Sequence, residues 1–230
     1  MNNTQRHYIN RPTKIKFCGL SREIDVQNSI DLRADYLGFM FVRQSKRFVN
    51  IETTKNISKL LKIQQNLPGI VGVFANPSIE DIRVAIAAMS ELTIIQLHGA
   101  ESINDCELIA AKFPQQKIWK AVPIFSTADI QAAKAYQSIC RLILFDYASS
   151  KTNQPNKSFG GSGKSFDWNT IATSSISYPF GIAGGIRAEN IRDALRYSPD
   201  VIDVSSGIES APGIKDRSAM TKIIDMLESK

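Results

Sequence analysis

Cysteine is scarce in this sequence: Cys18, Cys106 and Cys140 are the only three in 230 residues. They lie far apart and form no C-x-x-C pair, which argues against a disulfide framework and a structural zinc site. Such usage fits a reducing, cytoplasmic compartment. Histidine is scarcer still. With His7 and His98 alone, a metal site lacks its commonest ligand and none is expected. No apolar run reaches the roughly 20 residues of a membrane-spanning helix. The opening "MNNTQRHYINRPTK" has no apolar region of the secretory kind. It also lacks acidic residues, so a short organelle-targeting segment stands as the alternative to a disordered tail over residues 1–13. Lysine and arginine outnumber aspartate and glutamate 28 to 22, for a net charge of +6. No basic run is long enough for a nucleic-acid arm. The balance fits an anionic ligand, with neither nucleic acid nor membrane as partner.

What is present is alternation. Apolar strand-like segments recur: "KIKFC", "YLGFMF", "GIVGVF", "LTIIQL", "KIWKAVPI", "RLILFD", "PFGIAGG" and "VIDVSSG". Helical patterns follow each one, over Ser21–Arg33, Ile51–Leu67, from Ile79, from Ile103, over Thr127–Tyr136 and Phe166–Thr173, around Ile191, and around Met220. Ser78 with Asp81, Ser102 with Asp105, and Ser126 with Asp129 fit the S-x-x-D capping pattern. The strands show little polar alternation, as expected of a parallel sheet covered on both faces. Eight strands and eight helices over residues 14–230 predict a single-domain (β/α)8 TIM barrel. An open doubly wound sheet is the competitor, and both place ligands at the C-terminal strand ends. The polar stretch Tyr147–Ser165 is longer than a plain connection, and such loops often act as active-site lids.

Those strand ends supply Cys18, Arg47, His98, Asp146 and two glycine turns. Cys106 falls on an apolar helix face and Cys140 opens strand six at the opposite end, so only Cys18 stands where catalysis belongs. Lys16 points the same way as Cys18, and a nearby ammonium favours a thiolate able to act as a base. A buried, unreactive cysteine is the plain alternative. Asp146 either caps the next turn or acts as an acid. His98 in "LHGAE" faces the same mouth and is a candidate substrate-binding residue, with a plain hydrogen-bonding role in the turn as the alternative. The turns Ala183–Gly185, with Gly184 and Gly185, and Ser205–Gly207, with Ser206 between, can present backbone N–H groups to a phosphate. "GGSGK", which contains Gly161, adds a third donor set. Together they predict a phosphorylated small-molecule substrate.

With these pieces in place, the sequence resembles the phosphoribosylanthranilate isomerase family of tryptophan biosynthesis. The resemblance rests on "KFCGL", "GFMFVRQSKRFV", "VGVFANPS", "IIQLHGAES", "LILFD", "GGSGKSFDW", "GIAGGI" and "DVSSGIESAPGIKD", which appear in the family's order. It implies a ribulose-phosphate-binding (β/α)8 barrel without cofactor, monomeric or homodimeric. It implies an Amadori rearrangement of N-(5-phosphoribosyl)anthranilate to the 1-deoxyribulose 5-phosphate product. Matched residue by residue, Cys18 is the general base that takes the C2′ proton, and Asp146 is the general acid that protonates the ring oxygen. Arg47 is placed for the anthranilate carboxylate, Asp203 for the sugar hydroxyls, and the two turns for the phosphate. Phe17 departs from the family's usual aliphatic residue, the segment after Asp146 is longer, and residues 1–13 have no counterpart. A histidine-pathway sugar isomerase shares the barrel and the reaction type but carries aspartate where Cys18 stands. A catalytically idle phosphate-binding scaffold is the rival from another class.

Overall fold

The computed structural model describes residues 12–147, 165–172 and 174–228. Its strands are β1 (Lys14–Cys18), β2 (Tyr36–Met40), β3 (Gly69–Phe74), β4 (Ile94–Leu97), β5 (Lys117–Ile124), β6 (Leu142–Tyr147), β7 (Phe180–Ile182) and β8 (Val201–Val204). They pair in chain order and β8 closes on β1, giving a closed parallel barrel. Side chains alternate along each strand. Ile15 and Phe17 face the surrounding helices and are fully buried, while Cys18, Val71, Trp119 and Leu144 pack together in a second cluster. The helices are α1 (Glu23–Asp31), α2 (Ile51–Lys62), α3 (Ile79–Ala88), α4 (Ile103–Lys112), α5 (Thr127–Ala133), α6 (Asn169–Ala172), α7 (Ile191–Leu195) and α8 (Arg217–Glu228).

Several boundaries differ from expectation. α1 ends at Asp31 rather than Arg33, whose positive φ of 57° breaks the helical path. α2 stops at Lys62 instead of continuing to Leu67, and Asn66 beyond it has φ 59°. α6 spans Asn169–Ala172 rather than Phe166–Thr173. Thr13, assigned above to the tail, is buried, and its hydroxyl donates to the Pro199 carbonyl at 2.8 Å. The rest of that tail up to residue 11, and positions 148–164 with Gly160, Gly161 and Lys164, lie outside the described residues.

One element was not expected. β9 (Glu209–Ala211) and β10 (Ile214–Lys215) form a small antiparallel ribbon after β8. Gly213, with φ 83°, makes the turn between them. Among the described residues no helix is long and apolar enough to cross a membrane.

Candidate active site

A solvent-open cleft of about 500 Å³ sits at the C-terminal strand ends, lined by Cys18, Arg47, Gln96, His98, Asp146, Asp203 and the turns after β7 and β8. Lys16 and Asp203 are partners in the β1–β8 register. Their side chains meet inside the barrel, Lys16 Nζ to Asp203 Oδ2 at 2.7 Å. Gly38 opens the space they need, because a Cβ there would lie 2.9 Å from Cys18 Sγ and 3.0 Å from Lys16 Cε. Lys16 favours the Cys18 thiolate, as a nearby ammonium should, but it is outweighed: burial first and the Asp203 carboxylate second push the thiol above its usual range, against Lys16 and Lys215. The ammonium itself loses favour by burial, but attraction to Asp203 and Cys18 overrides this and keeps it charged.

On the facing side, Asp146 ends the apolar run of β6. Its Oδ1 accepts from the Tyr147 N–H at 2.7 Å, and its Oδ2 lies 2.9 Å from His98 Nε2. His98 therefore sits in the cleft as a partner of Asp146. The loop that carries it is fixed by Glu101, which accepts from the N–H groups of Gly99 at 2.9 Å and Asn76 at 2.7 Å. Buried Lys120 pairs with Glu101 at 3.1 Å. Gly184, with φ 82°, is also required sterically, since a Cβ there would come within 2.6 Å of Asp146 Oδ1.

The turn residues divide. Gly184, Gly185, Ser205 and Ser206 line the cleft, and a short 3₁₀ turn spans Ser206–Ile208. Gly207, grouped with them above, is not among the lining residues. Its reason for being glycine is packing, because a Cβ would lie 1.9 Å from the Ile186 carbonyl oxygen.

Arg47 reaches the cleft from the segment after β2, but not as a free guanidinium. Its Nε and Nη2 donate to the two oxygens of Glu209 at 2.7 and 2.6 Å. Lys215 Nζ donates to the same carboxylate at 2.8 Å and to the Ser205 carbonyl at 3.1 Å. Burial alone would raise the Glu209 pKa; Arg47 and Lys215 override it and hold the carboxylate below its usual range. Glu209 and Lys215 escaped the sequence reading, although both lie inside the "DVSSGIESAPGIKD" motif. Gln96, also missed, is buried beside the cleft, and among the described residues its Oε1 and the Oδ1 of Asp203 have no hydrogen-bond partner. Among the described residues no group of three or more His, Cys, Asp or Glu side chains is arranged to hold a metal.

The comparisons converge on one family. The family model described as N-(5′-phosphoribosyl)anthranilate isomerase matches residues 15–226. The N-(5′-phosphoribosyl)anthranilate isomerase of Synechococcus elongatus is 36% identical, over 93% of this chain and 95% of its own. That of Zymomonas mobilis is 35% identical over 94% and 97%. The crystal structure of the Thermotoga maritima phosphoribosylanthranilate isomerase superposes with a TM-score of 0.78 at 31% identity, over 94% of this chain and 98% of that one. A further structure of such an isomerase, bound to reduced 1-(o-carboxyphenylamino)-1-deoxyribulose 5-phosphate, gives 0.75 at 28% identity over the same shares.

Proposed function

Because the chain belongs to the N-(5′-phosphoribosyl)anthranilate isomerase family, and so is an isomerase of tryptophan biosynthesis, we propose that Cys18 and Asp146 are its general base and general acid. The observation that carries this is their shared cleft. Cys18 on β1 and Asp146 on β6 both line it, with β7 and β8 as the short way between them. A substrate whose phosphate rests on the turns after β7 and β8 spans from one to the other.

In this reading Asp146, held by His98 and the Tyr147 N–H, gives a proton to the ribose ring oxygen. The C1′–O bond breaks as the anthranilate nitrogen lone pair forms an iminium. That cation acidifies C2′, and the Cys18 thiolate removes the C2′ proton. The resulting enolamine tautomerises to the 1-deoxyribulose ketone. One acid and one base on opposite sides of the substrate meet the demands of the rearrangement. Asp203, which lines the cleft, takes a sugar hydroxyl, and Arg47 takes the anthranilate carboxylate. The phosphate is received by backbone N–H groups around Gly184, Gly185, Ser205 and Ser206. Three free cysteines fit the reducing cytoplasm expected for such an enzyme.

The test is steady-state turnover of phosphoribosylanthranilate by Cys18→Ala and Asp146→Asn. Each should lower kcat by about 10²–10⁴ with an unchanged circular dichroism spectrum. Near-normal turnover by either folded variant removes that residue from its role.

A further inference from the structure

We infer that Glu209 is the positioning residue for recognition of the substrate carboxylate: it takes one edge of the Arg47 fork and leaves the other free for the ligand. This rests on the reading that Arg47 meets that carboxylate, and it assigns to the ribbon β9–β10 a task that the phosphate site does not use.

A guanidinium offers two edges that each present a pair of parallel N–H donors. Glu209 occupies the edge formed by Nε and Nη2. Among the described residues nothing takes a hydrogen bond from Nη1, so the second edge, Nη1 with the remaining Nη2 hydrogen, is unspent. Arg47 lines the cleft, and a carboxylate arriving there can pair with that edge in the same two-bond geometry.

The support is rigid. Arg47 and Glu209 side chains are 9% and 5% exposed, and that of Lys215 is fully buried. Glu209 Oε1 also accepts from Lys215 Nζ at 2.8 Å and from the Gly213 N–H at 3.2 Å. Beneath the arginine, Gly19 leaves the groove for its stem, since a Cβ there would lie 2.4 Å from Arg47 Cδ. A fork fixed on one edge loses little rotamer freedom when the other edge binds.

The experiment measures binding of the reduced product analogue and of its counterpart lacking the ring carboxylate, by calorimetry. Glu209→Ala should weaken the carboxylate form at least about 10-fold and the other less than about 2-fold. Glu209→Gln, which keeps shape and one acceptor, should fall between and serves as the readout if the alanine variant does not fold. In turnover the loss should appear in KM more than in kcat. Equal weakening of both ligands, or weakening of neither, overturns the inference. Arg47→Ala separates the two layers. If it leaves the preference for the carboxylate form intact, the Arg47 reading fails and the inference with it. If it abolishes the preference while Glu209→Ala and Glu209→Gln keep it, the inference alone fails.

Discussion

Cys18 and Lys16 face the same way on β1, yet Lys16 does not decide the state of the thiol. Burial first, and then the Asp203 carboxylate across the β1–β8 seam, which draws the ammonium to itself at 2.7 Å, push the thiol above its usual range. The sign for catalysis follows. A base with a raised pKa gains its active form as pH rises, so kcat/KM should climb through a range above the ordinary thiol value of about 8.5. Asp203→Asn removes the carboxylate that adds to burial in raising the thiol, so the climb should move to lower pH. Iodoacetamide alkylation of Cys18 against pH, with Cys106 and Cys140 replaced by alanine, reads the same shift without turnover. A climb that stays in place or moves upward in the variant would contradict this account. At this scale the sequence discloses orientation but not partnership. Alternation along "KIKFC" puts Lys16 and Cys18 on one face, whereas Asp203 and Glu209 become neighbours only when the barrel closes. Arg47 and Glu209 are 162 positions apart, and no local pattern announces such a pair.

The strand-end turns carry the element-level argument, and their glycines are not equivalent. Gly185 has φ 63° and lines the cleft, while Gly207 is pressed against the Ile186 carbonyl. Gly185→Val should raise KM by crowding an anion, at a backbone cost of about 1–3 kcal/mol for a non-glycine residue at positive φ. Gly207→Ala should lower the melting temperature first, because the β7 and β8 turns must separate to admit its methyl group. Thermal unfolding and KM measured side by side check the contrast, and a Gly207→Ala variant that melts like wild type refutes the packing role. Elements with strong local signals were legible. Ser78 and Ser102 form the expected capping boxes, and Asp129 reaches back to the Ser126 N–H at 2.7 Å. The ribbon β9–β10 was not, because strands of three and two residues split by Pro212 and Gly213 are too short for any periodicity. The end of α1 was missed for a related reason: Arg33 adopts positive φ, which a sequence signals with glycine or asparagine and not with arginine.

Across the whole molecule, the closed parallel barrel separates chemistry from support. Polar side chains gather where the strands end, and the interior nearer the strand starts is filled by aromatic and aliphatic groups. Tyr36 opens β2 and packs edge-on against Trp119 of β5, ring centroids 4.8 Å apart. Gly69 at the start of β3 leaves the room, since a Cβ there would meet Tyr36 Cδ1 at 2.5 Å. Trp119 is 2% exposed and belongs to the inner cluster with Val71, Ile94 and Leu142. No residue of that pair lines the cleft. Truncating the indole creates a cavity the surrounding strands cannot close, because each is held by hydrogen bonds to two neighbours. Trp119→Ala should therefore cost about 3–5 kcal/mol in urea unfolding, while the folded fraction keeps its kcat. Cys18→Ala is the mirror case, with turnover lost and the unfolding midpoint nearly kept. Measuring both variants for both properties tests the division. If Trp119→Ala lowers kcat per folded molecule as far as Cys18→Ala does, the strand starts are coupled to the mouth and the barrel works as one mechanical unit instead.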